Sequence, residues 1–453
     1  MNYKEFLKRK AVIDVPTGLQ WDIEISPSLY DFQGDITRWA LKRGRAAIFA
    51  DCGLYKTGMQ LEWSRHIPGN VLILAPLAVA HQTVKMGKDN LGIEVNYCRN
   101  QSQIQPGITI TNYEMLEHFD PSYFTGIVLD ESSILKSYDG KFRTLIIESF
   151  KNTPFRLACT ATPAPNDYME LGNHAEFLGA MSRTEMLAMF FVHDGGDTSK
   201  WRLKGHAATD YWKWVCSWAV MIRKPSDLGY EDKDFVLPAL NMHSLTVEVE
   251  NNSGTLFAVH AETLQERLHA RKESIEDRCA TAAELVNSKP GQWLVWCNLN
   301  NESDMLKKMI PGAVEVKGSD SPEHKEKSAI AFAAGEIRVL VSKPSIFGYG
   351  LNFQSCSNMA FVGLSDSYES FYQAVRRCWR FGQKNEVNCY VITAETEGAV
   401  VENIKRKESD ATKMAEEMVK HMHVYNETNI KGITRDKSEY KPTMEMIIPS
   451  WLN

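Results

Sequence analysis

Two stretches of this chain repeat one rhythm, and no other feature restricts its fold as strongly. Short apolar runs alternate there with longer segments of helical periodicity. The first set is Ala46–Ala50 (AAIFA), Val71–Ala75 (VLILA), Ile108–Thr111, Gly126–Asp130 (GIVLD) and Arg156–Cys159. The second is Trp293–Cys297 (WLVWC), Ala313–Val316, Arg338–Ser342, Met359–Val362 and Asn388–Ile392. Brief apolar runs bounded by turn signals read as strands buried on both faces. Such strands, separated by helices, build parallel sheets covered on each side. The pattern predicts an α/β chain of two lobes, each a mostly parallel sheet flanked by helices.

A different composition separates the two sets. Trp201, Tyr211, Trp212, Trp214 and Trp218 make the region from about 171 to 240 rich in aromatics. Tyr211, Trp214 and Trp218 share one helix face, which either packs on the first lobe or offers bases a stacking surface beside Lys200, Arg202 and Lys204. The expected organisation is lobe one at 1–170, a helical insertion and hinge at 171–240, lobe two at 241–402, and a C-terminal helix with a polar tail at 403–453.

Bulk charge narrows the partners. Lys and Arg total 51 against 57 Asp and Glu, a net charge of −6. A polybasic protein is excluded, so a nucleic-acid site has to be a local basic groove. The nine cysteines form no C-x-x-C pair, which argues against zinc and disulfide frameworks. No window approaches the roughly 18 apolar residues of a membrane span, and no apolar leader is evident. A cytoplasmic setting with no membrane partner is expected.

Ala50-Asp51-Cys52-Gly53-Leu54-Tyr55-Lys56-Thr57 follows the first strand and opens a helix. Amides at a helix N-terminus cradle phosphate. Gly53, Leu54, Tyr55, Lys56 and Thr57 would hold a nucleotide, with Lys56 reaching the outer phosphates and the Thr57 hydroxyl on Mg²⁺. Ala50 and Tyr55 stand where the strict pattern has glycine, and glycine before the lysine lets the backbone approach phosphate closely.

A second apolar strand ends in Asp130-Glu131-Ser132-Ser133. Asp130 would hold Mg²⁺ through water, and Glu131 would polarise the attacking water. Thr160-Ala161-Thr162-Pro163 follows a third strand, where its hydroxyls would link the nucleotide to a nucleic-acid groove. Gln33, beside Phe32, presents an amide able to read adenine. In lobe two, Gly348-Tyr349-Gly350-Leu351-Asn352-Phe353-Gln354 forms a glycine-rich loop in which Gly350 permits close approach to a phosphate. Near its end, FYQAVRRCWRFGQ sets Arg377 and Arg380 three residues apart on one helix face, after Gln373 and before Gly382. Arginines so placed suit fingers for a transferring phosphoryl group.

Taken in order, Gln33, GLYKT, DESS, TATP, GYGLNFQ and QAVRRCWRFGQ resemble helicase superfamily two, over about residues 28 to 395. The Gln-x-x-x-Arg-x-x-Arg-x-Gly-Gln ending is most similar to Swi/Snf-type translocases of double-stranded DNA, in the compact form of bacteriophage and prophage members. The resemblance implies two RecA-like lobes closing on ATP and Mg²⁺, with double-stranded or branched DNA gripped across both. It implies catalytic roles for Lys56, Asp130, Glu131, Arg377 and Arg380, and a place for Gln373 in nucleotide binding. More loosely, it implies nucleic-acid contacts from segments holding Tyr113, Pro76, Thr162 and Ser342, to which Trp201 and Lys204 are added from the aromatic region. Two alternatives stand beside it. One is a catalytically weak helicase-fold module that binds DNA or a protein partner, motivated by Tyr55. The other is the motor subunit of a restriction or nuclease assembly.

Overall fold

The computed structural model describes residues 17–136, 140–194, 197–248, 272–347 and 352–430. The first lobe opens with α1 (Asp31–Arg43) and β1 (Arg45–Ala50), then α2 (Lys56–His66) and β2 (Val71–Ala75). It continues through α3 (Leu77–Met86), β3 (Val95–Tyr97), β4 (Ile108–Asn112), β5 (Gly126–Asp130), α4 (Lys141–Phe150) and β6 (Phe155–Cys159). Helices α5 (Leu171–Leu178) and α6 (Arg183–Phe190) follow, then a hairpin of β7 (Phe191–Asp194) and β8 (Asp197–Leu203), α7 (Ala208–Trp218) and β9 (Ala219–Ile222).

Seven of these strands form one sheet in the order β3-β4-β2-β5-β6-β1-β9, every pair parallel. In this register Ile73 lies between Ile110 and Val128. All five residues of β2, of β4 and of β5 are buried, as expected of strands whose sheet is covered by helices on both faces. Parallel pairing also sets the carboxyl ends of β5, β6 and β1 side by side. The acidic pair, the Thr-Ala-Thr-Pro turn and the phosphate loop therefore emerge together.

The aromatic-rich region is built onto this lobe. Tyr211 and Trp218 are buried in its core and Trp214 packs against it, stacked on Phe190. The chain then adds β9 beside β1, so the first sheet extends through Ile222, past the boundary expected at residue 170.

Lobe two contains β10 (Leu240–Val247), α8 (Ile275–Ser288), β11 (Trp293–Cys297), α9 (Asn300–Met309), β12 (Val314–Val316), α10 (Pro322–Ala333) and β13 (Val339–Ser342). After a single turn, α11 (Pro344–Phe347), come β14 (Asn358–Val362), α12 (Tyr368–Val375), β15 (Val387–Ala394) and the long α13 (Gly398–Ile430). The sheet order is β10-β15-β14-β11-β13-β12, again parallel throughout. Each lobe buries one apolar cluster on either face of its sheet. Both lobes are RecA-like.

Two segments join the lobes. One is the linker 223–239, whose Phe235 ring meets Tyr30 and Phe32 of lobe one and Phe381 of lobe two. The other is α13. Its first turns bury Val400 and Ile404 in the core of lobe two, and further on Met414, Ala415 and Met418 enter the core of lobe one. Among the described residues, no helix is long and apolar enough to cross a membrane.

Candidate active site between the lobes

The phosphate loop is built on two left-handed residues. Gly53 has φ +92°, and a Cβ there would lie 3.1 Å from the Phe381 nitrogen of lobe two. Tyr55, at φ 62° and ψ 42°, is the residue from which α2 starts. This conformation costs a non-glycine residue about 1–2 kcal/mol, so the backbone keeps the shape that glycine would give it. Lys56 lies over the turn, with Nζ donating to Ala50 O (2.8 Å) and Asp51 O (3.4 Å). Thr57 is half-buried in the first turn of α2.

Gln33 serves this loop. Its Nε2 donates to Leu54 O (3.3 Å), while its Oε1 accepts from Tyr30 N (3.0 Å). The amide is fully buried; it ties α1 to the loop and faces no open space in which to read a base.

Glu131, at φ 52°, is another of the three non-glycine residues with positive φ among the described residues. Strain of this kind gathers at functional sites. Asp130 is buried, and its Oδ1 accepts from Gln60 Nε2 (2.7 Å) and from the Glu131 amide (3.1 Å). Burial raises the Asp130 carboxyl above its ordinary range; Gln60 and the Lys56 charge pull it back. Burial pushes Glu131 up to about 7, against the pull of Lys56 and with Asp130 adding to the rise. Arg377 lowers this carboxyl and Glu369 raises it, so both lobes act on it.

Lobe two meets these groups through one stripe of α12. Glu369, Tyr372, Gln373 and Arg376 follow i, i+3, i+4, i+7 spacing, which is a single helix face. Glu369 pairs with Lys136 and accepts from Thr162 Oγ1 (3.3 Å). Gln373 Nε2 lies 3.5 Å from Glu131 Oε2, and Gln373 Oε1 lies 3.7 Å from Cys52 Sγ. Tyr372 donates to Asp51, and Arg376 bridges Asp51 Oδ2 (3.0 Å) and Cys52 O (2.5 Å). Burial works against the Arg376 charge, yet Asp51 and Tyr372 together hold the guanidinium above its ordinary value.

Arg377, buried behind this stripe, donates from Nε to Gln373 O (3.1 Å) and from NH2 to Gln373 Oε1 (3.2 Å). Arg380 is half-buried; desolvation, with Arg377 alongside, lowers its guanidinium to about 10. A cavity of about 520 Å³ opens beside the loop, between Gly53, Phe235, Trp379 and Glu416.

The structure thus brings Lys56, Asp130, Glu131, Gln373 and Arg377 into one cleft. Gly350 lies outside the described residues. Other expected positions point elsewhere. Tyr113 is buried with its hydroxyl on Asp130 O (2.6 Å), and Ser342 is buried on Val316 O (3.0 Å). Thr162 is turned to Glu369, and Lys204 donates to the last carbonyls of α6 at Ala188 and Met189 (3.0 Å each). Trp201 packs on the lobe-one core beside His193. Trp201 and Lys204 remain partly exposed, whereas Tyr113, Thr162 and Ser342 are buried. Sequence reasoning overlooked Asp51, Gln60, Lys136, Glu369, Tyr372 and Arg376, although the polar i, i+3, i+4, i+7 stripe of α12 was a readable signal.

The site fits a nucleotide with Mg²⁺ on the donors present. A helix start with an ammonium over it meets two carboxylates, and arginines close from the far side. Among the described residues no three His, Cys, Asp or Glu side chains cluster to hold a metal. Mg²⁺ is held by one or two protein oxygens plus phosphate and water, which the Asp130 carboxylate and the Thr57 hydroxyl would supply. No curated protein matches the chain. Residues 277–382, from α8 through the arginine segment, match the family described as the helicase conserved C-terminal domain. That match lies on the lobe that supplies the arginines.

Proposed function

We propose that this chain is an ATP-hydrolysing motor that moves on or remodels double-stranded or branched DNA, in the manner of Swi/Snf-type translocases. The observation that carries the reading is the closure of α12 on the phosphate loop and the acidic pair. Hydrolysis at such a site registers in both lobes at once, which is what a motor requires. Lys56 and the α2 amides would bind the outer phosphates, and Thr57 and Asp130 would hold Mg²⁺. The metal would neutralise charge developing on the phosphoryl oxygens. Glu131 would take a proton from the attacking water, and Gln373 would hold that carboxylate in place. Arg377 and Arg380 would approach the γ-phosphate from lobe two. Arg376 is occupied by Asp51, so its part is to register the lobes.

The test is ATP hydrolysis with Mg²⁺ in the absence of polymer and with single-stranded, duplex, forked DNA or RNA. Duplex- or fork-stimulated turnover that Glu131→Gln abolishes is expected. Intact DNA binding without turnover on any polymer would replace the motor with a catalytically weak binding module. Stimulation by RNA alone would move the track to RNA.

A further inference from the structure

Tyr55 poses a steric problem that the structure answers locally. Its ring lies against α2 at Gly58: a Cβ built on Gly58 would sit among ring atoms Cδ1 and Cε1, and 3.0 Å from Cζ. The hydroxyl accepts from Asn90 Nδ2 (3.3 Å). Asn90 belongs to the π-turn Gly87–Leu91 that ends α3. This turn borders the middle of α2, since a Cβ on Gly87 would touch Leu61 Cδ1 at 3.5 Å. The ring therefore lies on the flank of α2 at Gly58, reaches toward Asn90, and packs on the apolar cluster of that face.

We propose that Gly58 is a positioning residue for nucleotide binding: it forms the niche that keeps the Tyr55 ring out of the phosphate cradle, with Asn90 as its tether. Gly58 is the third residue of α2, and any Cβ there would collide with the Tyr55 ring, so glycine at this position serves the neighbouring ring. The αL backbone of Tyr55 retains the turn, and the niche removes the side chain that glycine would have lacked. This inference rests on the nucleotide-binding reading of the loop.

The test is a double-mutant cycle of Tyr55→Gly and Gly58→Ala in the full chain, read in two ways. Titration of a fluorescent ATP analogue with Mg²⁺ should show Gly58→Ala weakening affinity at least tenfold. Tyr55→Gly sets the affinity of a loop without the ring, and the double variant should match it rather than Gly58→Ala. Urea unfolding of the same four proteins should show Gly58→Ala destabilising when Tyr55 is present and not in the Tyr55→Gly background. Wild-type affinity in Gly58→Ala, or a double variant as weak as Gly58→Ala, would overturn the proposal. So would unfolding effects that simply add. If no variant binds nucleotide, the nucleotide reading itself fails, and the unfolding cycle still decides whether ring and niche are coupled.

Discussion

Replacing Arg376 with methionine should loosen the cleft without unfolding either lobe. The guanidinium is 3% exposed and the Asp51 carboxylate 17% exposed, and the two belong to different lobes. Breaking a fully buried pair costs about 3–5 kcal/mol, whereas an exposed pair contributes roughly 0–1. Asp51 keeps the Tyr372 hydroxyl and some water, so about 2 kcal/mol is the reasonable magnitude. The loss falls on the closed-to-open equilibrium and corresponds to roughly thirty-fold. Hydrogen exchange of peptides covering 51–57 and 368–383 reads it directly, because amides covered by lobe contact exchange through opening. Exchange should accelerate by that factor while core strands such as β2 keep their protection. Arg406→Met, which removes an exposed pair with Asp410, should change nothing. Unaltered exchange in the cleft, or an equal loss of protection throughout the molecule, would refute the argument that this pair holds the lobes together.

Other consequences follow from the same geometry. Glu131 has its carboxyl raised to about 7, so ATP hydrolysis should fall as pH drops through about 7, where the base becomes protonated. Between the ordinary carboxylate range and about 7 the folded chain binds more protons than the unfolded one, so this residue makes stability fall as pH rises. Glu131→Gln should accordingly raise the melting temperature at pH 8 and leave it unchanged at pH 4, as differential scanning calorimetry would show. Gln60→Leu removes the donor that restrains Asp130, and should weaken Mg²⁺-dependent nucleotide binding about tenfold, as titration against free Mg²⁺ would measure, given that a lost bond to a charged group costs about 1.5–3 kcal/mol. Met418→Ala empties a fully buried seat of α13 in lobe one, and urea unfolding should register a loss of about 2–5 kcal/mol.

Strands were legible wherever an apolar run was long enough to be buried on both faces. Val71–Ala75, Gly126–Asp130 and Trp293–Cys297 match their sequence runs at both ends. Three strands of the two large sheets escaped. Val95–Tyr97 has only three residues, and Leu240–Val247 is an edge strand with alternating exposure and no continuous apolar run. Ala219–Ile222 carried the signal, four buried apolar residues, but its aromatic-rich setting drew it into a supposed insertion. In the site, motif spacing located Lys56, Asp130 and Glu131 because their chemistry is local to one turn. Contacts that depend on two distant segments, Asp51 with Arg376 or Lys136 with Glu369, have no one-dimensional signature. The two candidate arginines were Arg377 and Arg380, yet the arginine that pairs with Asp51 across the cleft is Arg376, which had no motif position.

The two joining segments have a mechanical consequence. A body held to another at two places can turn freely only about the line through them. The linker at Phe235 and α13 at Glu416 both line the cavity that also holds Asp51 and Arg376. Asp51 and Arg376 therefore stand beside both joining segments. Glu369 and Lys136 lie about 10 Å farther along α12, seven residues at 1.5 Å each. A rotation would part the outer pair first, and full opening of the cleft would break the inner one as well. Of the two ion pairs, the one beside both tethers thus yields last and the Lys136–Glu369 pair, away from them, yields first.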